Sequence, residues 1–485
     1  MPPVTRPRRT ENARRHRVVL WGAIAVLCVV VLSLFRSDLG RSGAEHYALS
    51  YVVTVVDAAQ AHLEVEVEVR GETGRNLSLG FSSNAVATKA PASKFRVRSA
   101  SAGDEELAIE HGDGEWIVRN AKGRDVRVRY EVHLTPRPDA SHYAELALSQ
   151  LDATGGRLLG SDVFLFPVYG EPDAISVDYQ LPTGWSLHHP FEVAANRAAP
   201  PSLRSLYYSA SAVGLHRTVS RRVGDTSISV AIRGRYSFGD DDIVAMITRI
   251  VEHQLDFFGQ SPREHYLFVI EPHPRDDDPE MLHYFGLHFD ASMIVLLDPR
   301  TDRERLLAEP ASLCAHEFFH NWLGEQLSQE SYAMNWFVEG VTTLYADRTR
   351  LAIRMLDHGT WARDLQEDYR LGWKGASVRE SYSLAEAGRT VLSDPEITRM
   401  LYTGGRFTAL ALDERIVAAT QADADLDDLV LALVDRARTE EGFELTREHL
   451  EEEYSRLTGD SLGLWLDQYV YGRSDLPLPG YVLGR

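Results

Sequence analysis

Leu63, Val65, Val67 and Val69 alternate with Glu64, Glu66, Glu68 and Arg70. A period of two marks a strand with one buried and one wet face. Val126 to Val132 and Val163 to Tyr169 show related patterns, and Ala199-Pro-Pro-Ser202 reads as a loop. Together they predict a β-rich domain over residues 46–235. The period changes near residue 240. Asp240, Asp241 and Asp242 precede Ile243, Met246, Ile247, Ile250 and Val251, and Gly259 follows. An acidic start, helical spacing and a terminal glycine predict a helix. Two uninterrupted apolar runs, Tyr266 to Ile270 and Met293 to Leu297, predict buried strands. Beyond about residue 350 helical spacing dominates, as in Phe407 to Ile416 and Asp427 to Val434. The expected order is a β-rich domain, a mixed α/β domain over 236–355 and a helical domain over 356–485.

One further apolar run stands at the N-terminus. Val18 to Phe35 is interrupted only by Gly22 and Ser33, and Arg6, Arg8, Arg9, Arg14, Arg15 and Arg17 precede it. Its length and basic flank predict a transmembrane signal anchor over 18–35, with residues 1–17 as a cytoplasmic tail and 36–45 as a linker. The body then lies outside the cytoplasm, on a single-pass protein of the cell membrane. A cleaved signal peptide is the rival reading and also carries the body across the membrane.

The formal net charge is −20, and the arginine-rich start makes the remainder more acidic still. Such a surface excludes nucleic acid as a partner, because phosphates need Lys and Arg. The two cysteines, Cys28 and Cys314, are too far apart in character and sequence for a disulfide framework.

The chemistry is concentrated in His316-Glu-Phe-Phe-His320. On a helix, residues four apart share a face, so both imidazoles can hold one zinc ion while Glu317 reaches its water. Trp336-Phe-Val-Glu-Gly340 follows, with 18 residues between His320 and Glu339. That gap allows a turn and a second, antiparallel helix that returns a carboxylate to the metal. Three protein ligands with a fourth position open mark a catalytic zinc site. Later in the chain, Tyr402-Thr-Gly-Gly405 heads a helical pattern.

This combination resembles the gluzincin peptidases, and the match is closest to the glycyl aminopeptidase family, peptidase family sixty-one. His316 to Trp322 looks like that family's zinc helix, Trp336 to Gly340 like its third-ligand helix, and Tyr402 to Asp413 like its transition-state segment. The resemblance implies an α+β multidomain fold: a β-sandwich-like N-terminal domain, a thermolysin-like zinc catalytic domain and a C-terminal helical domain, here preceded by one transmembrane helix and without a PDZ domain. It implies one zinc ion on His316, His320 and Glu339, with Glu317 as general base and Tyr402 as oxyanion donor. The expected substrate is a peptide or protein, and the expected activity is aminopeptidase-related. The chain departs from the family at Phe285-Gly-Leu-His-Phe-Asp-Ala-Ser292, where His288 stands in place of an amine-binding glutamate. His288 and Asp290 are therefore expected to line the substrate pocket. That departure keeps endopeptidase or other hydrolase specificity open. A non-enzymatic, membrane-tethered zinc-binding module is the third reading, against which the intact Glu317 and Tyr402 argue.

Overall fold

The computed structural model describes residues 46–484, apart from residues 72–74, 82–93, 113, 135–145, 147, 169, 192, 195, 275–281 and 391–393. Strand β1 (Tyr47–Asp57) pairs antiparallel with β2 (His62–Gly71). Leu49, Tyr51 and Val53 face Val69, Val67 and Val65, and all six are buried. The alternation read from the sequence is thus one face of a hairpin. β3 (Phe95–Ala102), β4 (Val126–His133) and β5 (Ala174–Gln180) extend it in the order β5–β1–β2–β4–β3, within an eight-stranded sheet. β5 runs parallel to β1 and the other pairs named are antiparallel. Two four-stranded sheets contribute to the same core.

The next sheet has five strands: β6 (Arg217–Val223), β7 (Thr226–Ile232), β8 (His265–Pro272), β9 (Tyr284–Phe289) and β10 (Ser292–Leu297). Their order is β6–β7–β8–β10–β9, with β7, β8 and β10 parallel. Ile228, Phe268, Ile270 and Met293 pack towards the helices, whereas Leu267, Val269, Ile294 and Leu296 pack into the β-rich core. Burial on both faces explains why these strands read as continuous apolar runs rather than as alternation.

The helices are α1 (Asp240–Phe258), α2 (Glu309–Phe319), α3 (Asn335–Ala352), α4 (Pro395–Thr420), α5 (Leu426–Thr439) and α6 (Arg447–Thr458), with shorter ones between. α1 starts where Asp242 accepts from the Gly239 amide and stops at Gly259, whose φ is 76°. α3 and α4 cross at a glycine pair. A Cβ on Gly340 would lie 2.2 Å from the Gly405 carbonyl carbon.

Three expectations change. The expected strand at 163–169 is a short helical turn, Gly160–Val163, followed by a two-residue strand, Phe166–Pro167; Pro167 has no N–H to give a ladder. The domain change expected after residue 235 falls too late, since β6 and β7 already belong to the five-stranded sheet. The expected fold class is corrected too. The architecture is mixed α+β, with a β-rich N-terminal region and a helical C-terminal region, and no described helix is long and apolar enough to cross a membrane. The segment 18–35 itself lies outside the described residues.

Candidate active site

α2 opens with Glu309 and Pro310, a residue whose missing N–H costs nothing in the first turn. Every residue from Pro310 to Phe319 is buried, so the helix runs through the core rather than over it. It ends at His320, which occupies the C-cap. The chain then turns at Gly324, where φ is 122°. This turn brings the Leu323 carbonyl to 2.9 Å from His320 Nδ1. Trp322 fixes the segment from the other side: its indole stacks on Phe258 and its Nε1 donates to the Gln260 carbonyl at 3.0 Å. The start of α3 is pinned by Asn335, which donates to the Gly388 carbonyl at 3.0 Å and accepts from Gln329 at 3.2 Å.

α3 then carries Glu339 back to α2. His316 Nε2 and His320 Nε2 stand 3.1 Å apart, and Glu339 Oε2 lies 3.3 and 3.5 Å from them. Donor atoms around a four-coordinate zinc ion sit roughly 3.4 Å apart, given bonds of about 2.1 Å. The His320 Nδ1 contact with a carbonyl makes that nitrogen the donor, which leaves Nε2 with the lone pair. Two imidazole edges and a carboxylate at this separation are unfavourable unless a cation or proton lies among them. The electrostatics agree. Burial would lower the basicity of His320, but Glu339 and Glu317 outweigh it and raise the ring to about 9. Burial would raise the Glu339 carboxyl, but the two histidines hold it at about 2. The residues present therefore fit a divalent metal with N and O ligands.

Glu317 faces strand β9, with its charge still acting on the His320 ring. A Cβ on Gly286 would lie 3.3 Å from Glu317 Cγ and 3.5 Å from its Oε1. Glycine here lets the outermost strand of the sheet approach the carboxylate. Tyr402 lies in the second turn of α4, with its ring centre 5.9 Å from that of His316. The Gly340–Gly405 contact makes this possible, because it lets α4 approach α3 directly beside Glu339. The structure thus brings together His316, Glu317, His320, Glu339 and Tyr402.

His288 borders the cluster, with its ring centre 6.1 Å from that of His320, and together with Asp290 it is tied into a buried network. His288 Nδ1 contacts the Tyr266 hydroxyl at 3.0 Å and its Nε2 lies 3.8 Å from Glu325. Asp290 accepts from Ser205 Oγ at 2.6 Å and pairs with Arg263 at 2.6 Å. Arg204 closes the network on Glu325 at 2.7 Å. Both expected pocket residues are therefore committed to protein partners, and the side chain that stands with Gly286 in the strand's helix-facing register, His288, supplies no negative charge. Sequence reading missed Gly286, Glu325, Arg204 and Arg263. Their only signal is Gly286 within an apolar strand, a mark of close approach by another element.

No family model matches the sequence, and no curated protein matches it. The fold does match solved structures. An aminopeptidase N family protein from Idiomarina loihiensis superposes with a TM-score of 0.75 at 16% identity, over 90% of this chain and 78% of that one. A two-domain M1 zinc metallopeptidase variant bound to L-tryptophan gives 0.56 at 17% identity, over 91% and 97%. An M1 zinc metallopeptidase variant from Deinococcus radiodurans, bound to the substrate Tyr-Ser-Ala, gives 0.55 at 17% identity, over 90% and 95%. The chain has the fold of the M1 metallopeptidases. The likeness spans the β-rich, mixed and helical parts together.

Proposed function

We propose that this chain is a zinc-dependent metallopeptidase, aminopeptidase-related, with His316, His320 and Glu339 as zinc ligands, Glu317 as general base and Tyr402 as oxyanion donor. The observation that carries the reading is the convergence of three donor atoms within 3.1–3.5 Å of one another, on a fold shared with zinc peptidases. A zinc ion held there would supply Lewis acidity, polarising a peptide carbonyl and lowering a water's pKa towards ~7. Glu317 accepts that water's proton and delivers it to the departing amine. Tyr402 donates a hydrogen bond where negative charge develops on the carbonyl oxygen. β9 is the edge strand of its sheet among the described residues. An edge strand suits an extended peptide, whose backbone can add to the sheet beside Glu317.

The finer assignment, to the glycyl aminopeptidase family, rests on the segments His316–Trp322, Trp336–Gly340 and Tyr402–Asp413. The pair of helix-facing positions Gly286 and His288 favours a second reading of specificity, in which a free substrate amine is not strictly required. The test of the main reading is Glu317→Gln. The amide keeps the size of the side chain but does not take up the proton. The variant should retain zinc and lose about 10²–10⁴-fold in turnover. Hydrolysis at the wild-type rate would remove Glu317 from the mechanism.

A further inference from the structure

On the wet face of the β2–β4 pair, residues opposite one another form a charge ladder. Glu68 meets Arg127 at 3.1 Å, and Glu66 meets Arg129. Further along the pattern breaks: Glu64 stands opposite Glu131, and His62 opposite His133. Like charges directly across a strand pair are destabilising, so this end of the ladder lacks a cation. Arg98 supplies one, through a two-point salt bridge to Glu131. The two histidines remain. Glu131 Oε2 lies 4.0 Å from His62 Nε2 and 3.7 Å from His133 Nε2. The three donor atoms fall within 4.8 Å of one another. His62 Nε2 is shielded from solvent and has no hydrogen-bond partner.

We propose that His62, His133 and Glu131 form a second transition-metal site, remote in sequence from the HExxH cluster and suited to zinc or copper(II). Two imidazoles and a carboxylate are ligands for these ions rather than for calcium or magnesium. The rings are stacked, 4.5 Å apart and within 9° of parallel. One must turn for both lone pairs to meet a single ion. His133, at 49% side-chain exposure, is the ring free to do so, whereas His62 is held at 23%. Closing donor separations of about 4 Å to roughly 3.4 Å needs only that movement. Arg98 has two consequences. It orients the carboxylate, as hydrogen-bonded partners of metal ligands do, and its charge weakens the affinity. His62 begins β2 and His133 ends β4, so the ion would tie the two strands at the rim of the sheet.

The test uses the full-length protein dialysed against micromolar free zinc. Wild type should hold one more zinc per chain than His62→Gln or His133→Gln, whatever the occupancy of the HExxH cluster. Equal zinc content in all three proteins would overturn the proposal. A second measurement needs no variant. Copper(II) added to protein carrying a single equivalent of zinc should give an electron paramagnetic resonance spectrum with coupling to two imidazole nitrogens. A spectrum of aqueous copper alone would overturn it.

Discussion

At the scale of single residues, the proposed roles are of two kinds: His316, His320 and Glu339 hold the metal, and Tyr402 acts only as charge moves. Its ring lies beside His316, and its hydroxyl is assigned a hydrogen bond that strengthens at the transition state. Tyr402→Phe should therefore lower kcat by about 10²–10³-fold and leave KM nearly unchanged. Steady-state kinetics on one peptide decides this, and equal kcat in the two proteins would contradict it. His288 leads to a prediction about specificity. An aminopeptidase gives the substrate's ammonium a carboxylate partner, and no carboxylate stands at residue 288. Asp290 does not replace it, being already paired with Arg263 and Ser205. The loss of a charge-assisted bond, worth about 1.5–3 kcal/mol, should cut the preference for free over acetylated peptides by roughly tenfold to a hundredfold. A ratio of kcat/KM values above about a thousandfold would show that another acid binds the amine. The approach of His316 to His320 was legible in the sequence, because helix periodicity puts residues four apart on one face. The Arg204–Glu325–Arg263–Asp290 network was not legible. Its members come from four separated segments, and only the fold brings them together.

At the scale of elements, the site depends on how closely two helices approach. α3 carries Glu339 and α4 carries Tyr402. They touch where Gly340 meets Gly405, backbone to backbone. A methyl group on Gly340 would fall 2.5 Å from Gly405 Cα, and no side chain there can yield. Gly340→Ala should therefore force the helices apart, with a cost of about 1–3 kcal/mol for overpacking. Activity should fall further than stability does, since the displacement separates Tyr402 from the ligand on the neighbouring helix. Denaturant melts and peptide assays on the same preparation test this. A variant as stable and as active as wild type would show that the contact is not tight. Strands and helices with a single buried face were read correctly from periodicity: β2, β4 and α1 are examples. β6 and β7 fall within the range read as β-rich yet join the five-stranded sheet, because strand pattern says which face is buried and not which sheet a strand joins. The segment Tyr369–Trp373 winds as a π-helix, a local change that spacing of apolar residues does not register.

At the scale of the whole molecule, the β-rich region is locked to the five-stranded sheet by a buried ion network. Glu271, on β8, pairs with Arg157 of the β-rich region at 2.9 Å and with Arg233 at 2.9 Å, and His216 lies 3.4 Å away. Burial would raise the Glu271 carboxyl, but His216, Arg157 and Arg233 outweigh it and hold it far below the usual carboxylate range. A depressed value in the folded state means this stabilisation is fully present above the unfolded carboxylate value of ~4.3. It is lost progressively as pH falls below that. Glu271→Gln should destabilise by about 3–5 kcal/mol at neutral pH, because Arg157 is then buried without its counter-charge. It should also flatten the acid limb of stability against pH. Urea melts across that range would show a parallel decline in the two proteins if the network contributed nothing. Zinc-dependent hydrolysis itself can be followed as the metal is removed and returned. The purified protein is stripped with a chelator, and metal content and peptide cleavage are followed together as zinc is returned, for wild type and for His320→Ala. Cleavage should vanish in the stripped protein and return in wild type in step with one equivalent of zinc at the HExxH cluster, but not in His320→Ala. Cleavage that survives complete removal of the metal, or that returns equally in His320→Ala, would contradict zinc dependence.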